Sequence, residues 1–108
     1  MQVDSDFTAL LKYRTAEEGG RTLPAFSGYR PTIKFEFEDI QSSGVQKFIG
    51  RQEVHPGETV EAEIKIYATD YFEGKLYEGL KFEFREGQNI IGTGRILKIL
   101  NMRLSASR

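Results

Sequence analysis

The sequence has no cysteine, no tryptophan and only one histidine in 108 residues. Without cysteine there are no disulfides and no thiolate metal sites, and the redox compartment stays open. With His55 alone, a multi-histidine metal site is impossible, and a catalytic dyad would have to use that one imidazole. No apolar run is long enough to cross a membrane as a helix. The start, MQVDSDFTALL, lacks a basic stretch followed by a long apolar one. No signal peptide is therefore expected, and the cytoplasm is the expected location. There is no GxxxxGK loop ending in Ser or Thr, so NTPase chemistry has no phosphate cradle here.

Eight Phe and five Tyr supply the bulk of a core that a chain of this length can bury as one domain. The domain is expected to span 1–108, with its core at about 7–100. The tail NMRLSASR is expected to fray. The net charge of −1 argues against a general nucleic-acid binder. The charge is unevenly spread, however. From Gln88 to Arg108 there is no acid, while Arg95, Lys98, Arg103 and Arg108 are basic. The acids lie upstream, at Glu36, Glu38, Asp39, Glu53, Glu58, Glu61 and Glu63. A local basic face and ordinary solvated strand edges both fit this pattern.

Period-two alternation recurs along the chain. Ile33, Phe35 and Phe37 alternate with Lys34, Glu36 and Glu38. Val60, Ala62, Ile64 and Ile66 alternate with Glu61, Glu63 and Lys65, and Leu80, Phe82 and Phe84 with Lys81, Glu83 and Arg85. Each run reads as a strand with one dry and one wet face. Phe7, Ala9, Leu11 and Tyr13 mark another such strand. Ile90 to Leu100 is apolar on parts of both faces, with Gly92 and Gly94 marking a bend or a close backbone approach. Turn signals are read at Ser43-Gly44, Pro56-Gly57, Glu73-Gly74 and Glu86-Gly87. In His55–Glu58 the Pro and Gly suit a type II turn. The fold class is all-β. Closing the strands into a small antiparallel barrel hides every edge, and a sandwich is the alternative.

Catalytic signals are weak. Glu36, Glu38, Glu61 and Glu63 occupy wet strand faces, where charge serves solubility. His55 precedes a turn proline and is expected in an exposed loop. Nothing in the spacing of Ser27, His55 and an Asp supports a triad. The chain is expected to be a non-enzyme without cofactor or metal. The polar stretch EEGGRTLPAFSGYRP, Glu17 to Pro31, is longer than a loop in a small domain needs to be. It carries Arg21, Phe26, Tyr29 and Arg30 on a path stiffened by Pro24 and Pro31. A phosphate backbone or a protein surface would suit it. Equally, Phe26 and Tyr29 could plug a barrel mouth while Arg21 or Arg30 pairs with a carboxylate.

The order of EEGGR, FSGYRP, HPGE, EGLKFEFREG and GTGRILKIL resembles the C-terminal, third domain of elongation factor Tu from Phe7 to Leu100. The family typically reads EEGGRHTPF and GYRP, then MPGD, then GLRFAIREGGRTVGAGVV. The resemblance implies a closed six-stranded antiparallel β-barrel. In the family this barrel follows a GTPase domain and a second barrel, packs on the GTPase domain and touches the T-stem of aminoacyl-tRNA. It also contributes to exchange-factor binding. By resemblance, Arg21 and Thr22 match an Arg-His pair near the tRNA, with Thr22 in place of the His. Glu86 and Gly87 match a Glu-Gly near the tRNA backbone, and Arg30 matches the arginine of GYRP. Gln88-Asn89 replaces the family's next Gly-Arg. Residues 68–77, ATDYFEGKLY, exceed the family's shorter connection.

Two functions compete. One is a free-standing protein-interaction module linked to translation. It would use the barrel surface, with Tyr71, Phe72 and Tyr77 of the 68–77 loop adding aromatic contacts, and it would bind a protein partner or itself. The alternative is a weak tRNA- or RNA-binding module using Arg21, Arg30, Arg95 and Lys98.

Overall fold

A strand with one dry face must lie against another apolar surface, and a sheet of such strands loses its edges when it closes on itself. The computed structural model, which describes residues 5–106, has that arrangement. Its strands are β1 (Phe7–Tyr13), β2 (Ala25–Phe26), β3 (Thr32–Phe35), β4 (Gln41–Phe48), β5 (Glu53–Val54), β6 (Thr59–Ile66), β7 (Lys81–Glu86) and β8 (Asn89–Ile99). Six of them close a barrel in the order β1-β6-β4-β3-β7-β8. β2 and β5 form a separate two-stranded ribbon. All pairings between these strands are antiparallel, and closure comes from β1, which pairs with β6 on one side and β8 on the other. The fold is the all-β closed barrel expected from alternation and resemblance. Residues 1–4 and 107–108, including the start of the N-terminal stretch and Arg108, lie outside the described residues.

The alternating apolar residues line the interior. Phe7, Ala9, Leu11 and Tyr13 of β1 and Val60, Ala62, Ile64 and Ile66 of β6 are all buried. The aromatic rings meet edge to face: Phe7 on Phe82 at 5.9 Å, Phe35 on Phe82 at 5.8 Å, and Tyr13 on Phe84 at 4.9 Å. Such pairs add about 0.5–1.5 kcal/mol each beyond their buried area. Gly92 and Gly94 are cross-strand partners of Phe84 and Phe82. A Cβ on either glycine would collide with the facing ring, and one on Gly92 would also lie 2.5 Å from the Lys12 carbonyl. The two glycines are thus sites of close approach, where bulk on β7 takes the space vacated on β8.

Other expectations are corrected. Ser43-Gly44 is not a turn but lies inside β4, whose inward residues are Ser42, Gly44, Gln46 and Phe48. Gly44 is small because Ile33 occupies the space its side chain would need. The run through Phe37 stops at Phe35, where the Glu38 N–H turns back to the Phe35 carbonyl at 3.2 Å. Phe37 is exposed, with its ring stacked over Phe35. In the loop after β6, Phe72 and Leu76 are fully buried. Phe72 packs on Phe35 at 5.0 Å, so it closes one mouth of the barrel and is not a partner contact.

The expected fraying does not apply to residues 101–106. A 3-10 turn at Met102–Leu104 buries Leu104. The Leu76 N–H donates to the Leu104 carbonyl at 2.8 Å, and the Ala106 N–H to the Leu76 carbonyl at 2.7 Å. Asp6, itself buried, ties this end together. Its carboxylate accepts from the Ile66 N–H at 2.8 Å and the Asn101 side-chain amide at 3.0 Å. The His55–Glu58 turn forms as read, with Gly57 at φ +88 and the Glu58 N–H on the His55 carbonyl.

Two substitutions test this packing. Gly92→Ala should destabilise the barrel by about 1–3 kcal/mol through overpacking. Phe72→Ala should cost about 3–5 kcal/mol, as for other buried aromatics. Urea denaturation measures both. A Phe72→Ala barrel as stable as the parent would contradict its place in the core.

Candidate functional site

The Glu17–Pro31 loop lies over the mouth at which β1 ends, in a shape set by short-range bonds. The Thr15 N–H donates to the Glu18 carboxylate at 2.8 Å, and the Glu18 N–H returns a bond to the Thr15 hydroxyl at 3.1 Å. The hydrogen bond from the Thr15 backbone, then that from its side chain, holds the Glu18 carboxyl below the usual carboxylate range. The chain then delivers Arg21 to the turn between β7 and β8, where its guanidinium pairs with Glu86. It also reaches the Leu23 carbonyl at 3.3 Å and the Pro24 carbonyl at 3.4 Å, and lies 5.0 Å from the Tyr29 ring centre.

The Tyr29 hydroxyl donates to the same Glu86 oxygen. Burial, then the bond to Glu86, pushes the Tyr29 phenol well up. Burial works to raise the Glu86 carboxyl, but the hydrogen bonds from Tyr29 and Arg21 and the arginine charge outweigh it and hold Glu86 low. Beneath them the buried Tyr13 donates to the Gln46 side-chain oxygen at 2.5 Å. Burial is the main reason its phenol is also raised.

Arg21 and Glu86, expected near a partner, are therefore each other's partners. Thr22 is exposed beside them, on a shallow hollow of about 310 Å³ shared with Gly20 and Leu23. Gly87 is exposed in the adjoining turn. Tyr29 does cover the mouth, whereas Phe26 is 60 % exposed and plugs nothing. Arg30 lies elsewhere: it donates to the Tyr67 hydroxyl at 3.0 Å, and Tyr67 is bonded to Ser43 of β4. Lys98 is on the outer face of β8 opposite Thr8, towards the other mouth. The four cations expected to act together are thus dispersed. Tyr71 and Tyr77 are exposed at the Phe72 end, with Tyr71 donating to Glu38 at 2.6 Å. His55 is exposed and paired with Glu53 at 2.9 Å, and the Ser27 hydroxyl accepts from the Phe48 N–H.

Arg95 belongs to a feature not anticipated from the sequence. Its cross-strand partners are Leu10 on β1 and Lys81 on β7. Around them lies an outer-wall groove of about 520 Å³, lined by Leu10 and by the Phe82 and Gly94 positions, with Lys12, Lys81, Arg95 and Glu36 beside these. Lys12 donates to the Gly57 carbonyl at 3.1 Å. The Lys81 and Arg95 side chains have no ion-pair or hydrogen-bond partner among the described residues. Glu83, which also lines the groove, is held by Arg85. The only sequence sign of the groove was that these residues fall on wet strand faces. Their convergence depends on register between strands far apart in the chain.

The closed barrel, the long loop over one mouth and the Glu86-Gly87 turn define a β-barrel domain of the translation-factor type. Residues 1–100 match the elongation factor Tu C-terminal domain family, and the chain belongs to that family. No helix among the described residues is long and apolar enough to cross a membrane.

The Arg21–Glu86–Tyr29 contact yields a pH-dependent prediction. Because the folded Glu86 carboxyl is held below its ordinary value of 4.5, its contribution is complete above that pH. It is lost as the pH falls through the lower folded value. The Glu86 side chain is 42 % exposed, so screening limits the contribution to about 0.5 kcal/mol. Glu86→Gln should lower the melting midpoint at neutral pH by about 2–4 °C. Parent and variant should converge on acidification in calorimetry.

Proposed function

We propose that this domain is a non-catalytic protein-interaction module of the translation apparatus. It works in the cytoplasm and docks through the groove between β7, β8, β1 and β6. The observation that carries this reading is the groove itself: a mostly apolar outer-wall hollow at Leu10 beside two cations, Arg95 and Lys81, whose side chains the described residues leave uncommitted. Interfaces characteristically combine an apolar centre with arginine and a polar rim. The family resemblance supplies the partner class, since its barrel packs against a GTPase domain. The tRNA reading has less support, because Arg21 is neutralised by Glu86 and Arg30 is drawn to Tyr67. A binder with few free cations neutralises few phosphates, so its affinity for RNA is weak.

The experiment is a titration of the ¹⁵N-labelled domain, first with a purified elongation-factor GTPase domain and then with tRNA at low and moderate salt. Docking should shift the amide signals of Lys12, Lys81, Thr93 and Arg95. Lys81→Glu/Arg95→Glu should weaken it at least tenfold. Salt-sensitive tRNA binding that is lost in Arg21→Ala/Arg30→Ala, with no response to the GTPase domain, would replace this reading with RNA binding.

A further inference from the structure

Four tyrosines lie on or near the surface besides the buried Tyr13, and three of them have a cation from this chain over the ring. Arg21 lies over Tyr29 at 5.0 Å, Arg30 over Tyr67 at 5.5 Å and Lys75 over Tyr71 at 3.9 Å. The hydroxyls of Tyr29 and Tyr71 donate to Glu86 and Glu38, and that of Tyr67 accepts from Arg30. Tyr77 is the exception. Its ring is 45 % exposed, and among the described residues it has neither a cation over its face nor a partner for its hydroxyl. The adjacent Glu78 carboxylate also has no partner among them. Other acids at this end are taken: Glu38 by Tyr71, and Asp70 and Glu73 by Arg103.

Tyr77 and Glu78 line a pocket of about 390 Å³ with Ile99, Met102 and Ser105. Its walls are set by the fold. Ile99 closes β8, and Met102 is carried outward by the 3-10 turn that Asn101 caps by accepting from the Arg103 N–H at 3.2 Å. Ser105 is held by the bridge to Leu76. A pocket built in advance spares a ligand the ordering cost.

We propose that this pocket receives an arginine side chain from a protein partner. The Tyr77 face and Met102 accept the guanidinium plane and its stem, and Glu78 is the counter-charge. Arginine fits better than lysine because its flat fork can stack on a ring and bond a carboxylate at once. The site lies at the Phe72 end, apart from the wall groove, so either assignment can fail without the other.

The probe is acetyl-Gly-Arg-Gly-amide, titrated into the ¹⁵N-labelled domain at low ionic strength. Its neutral counterpart has citrulline in place of arginine. Shifts should concentrate on Tyr77, Glu78, Ile99, Met102 and Ser105 for the arginine peptide only. Glu78→Gln and Tyr77→Leu should each weaken binding at least fivefold, while Glu17→Gln, on the remote loop, should leave it unchanged. Both positions are exposed, and unchanged melting curves would show that the variants are folded. Absent shifts, shifts spread evenly over exposed carboxylates, or an equal response to citrulline would overturn the proposal.

Discussion

Everything in this barrel depends on the pairing of its first strand with its last. β1 and β8 run side by side from Phe7–Ile99 to Tyr13–Gly92, and this pairing removes the two edges that the six-stranded sheet would otherwise leave open on β1 and β8 themselves. Antiparallel strands whose backbone groups are all paired no longer invite a foreign strand. Closure also fixes the volume to be filled, and the interior answers with rings from β1, β3 and β7 against the bare backbone of Gly92 and Gly94. The same closure creates two mouths, and the chain covers them differently. At one mouth Phe72, Leu76 and Leu104 form an apolar plug. At the other, Tyr29, Arg21 and Glu86 form a polar one.

The polar mouth bears on function. A loop that puts an arginine and aromatic rings over a barrel opening looks ready for a phosphate. In this chain the arginine is met by a carboxylate and flanked by two backbone carbonyls. A cation so engaged has little left for RNA, because a phosphate would have to displace Glu86 as well as bind. Uncommitted charge lies on the wall, where Arg95 has Leu10 on one side and Lys81 on the other. The docking surface proposed here therefore lies on the wall, while the loop covers the mouth.

Strands whose inward residues are large and apolar could be read directly. β1, β6 and β7 announce themselves through Phe7 to Tyr13, Val60 to Ile66, and Phe82 with Phe84. β4 could not be read, because it faces the core with Ser42, Gly44, Gln46 and Phe48. Each of the polar or small residues answers a neighbour distant in sequence: Gly44 makes room for Ile33, and Gln46 accepts from the buried Tyr13 hydroxyl. Phe72 was misplaced for a related reason. A single aromatic in a polar loop looks like a surface anchor until the open mouth it fills is known.

Taken alone, the sequence determined the fold class, the inward faces of the apolar strands, the His55–Glu58 turn and the family, because these are set by local alternation, turn chemistry and motif order. Only the tertiary structure decided that Arg21 meets Glu86 across 65 residues, that Phe72 is core, and that residues 101–106 are held. It likewise decided that Leu10, Lys81 and Arg95 share a groove, while Tyr77 and Glu78 line a pocket with Met102. The physical reason is the same in each case. Cross-strand register and barrel closure bring together side chains whose separation along the chain carries no sign of their meeting.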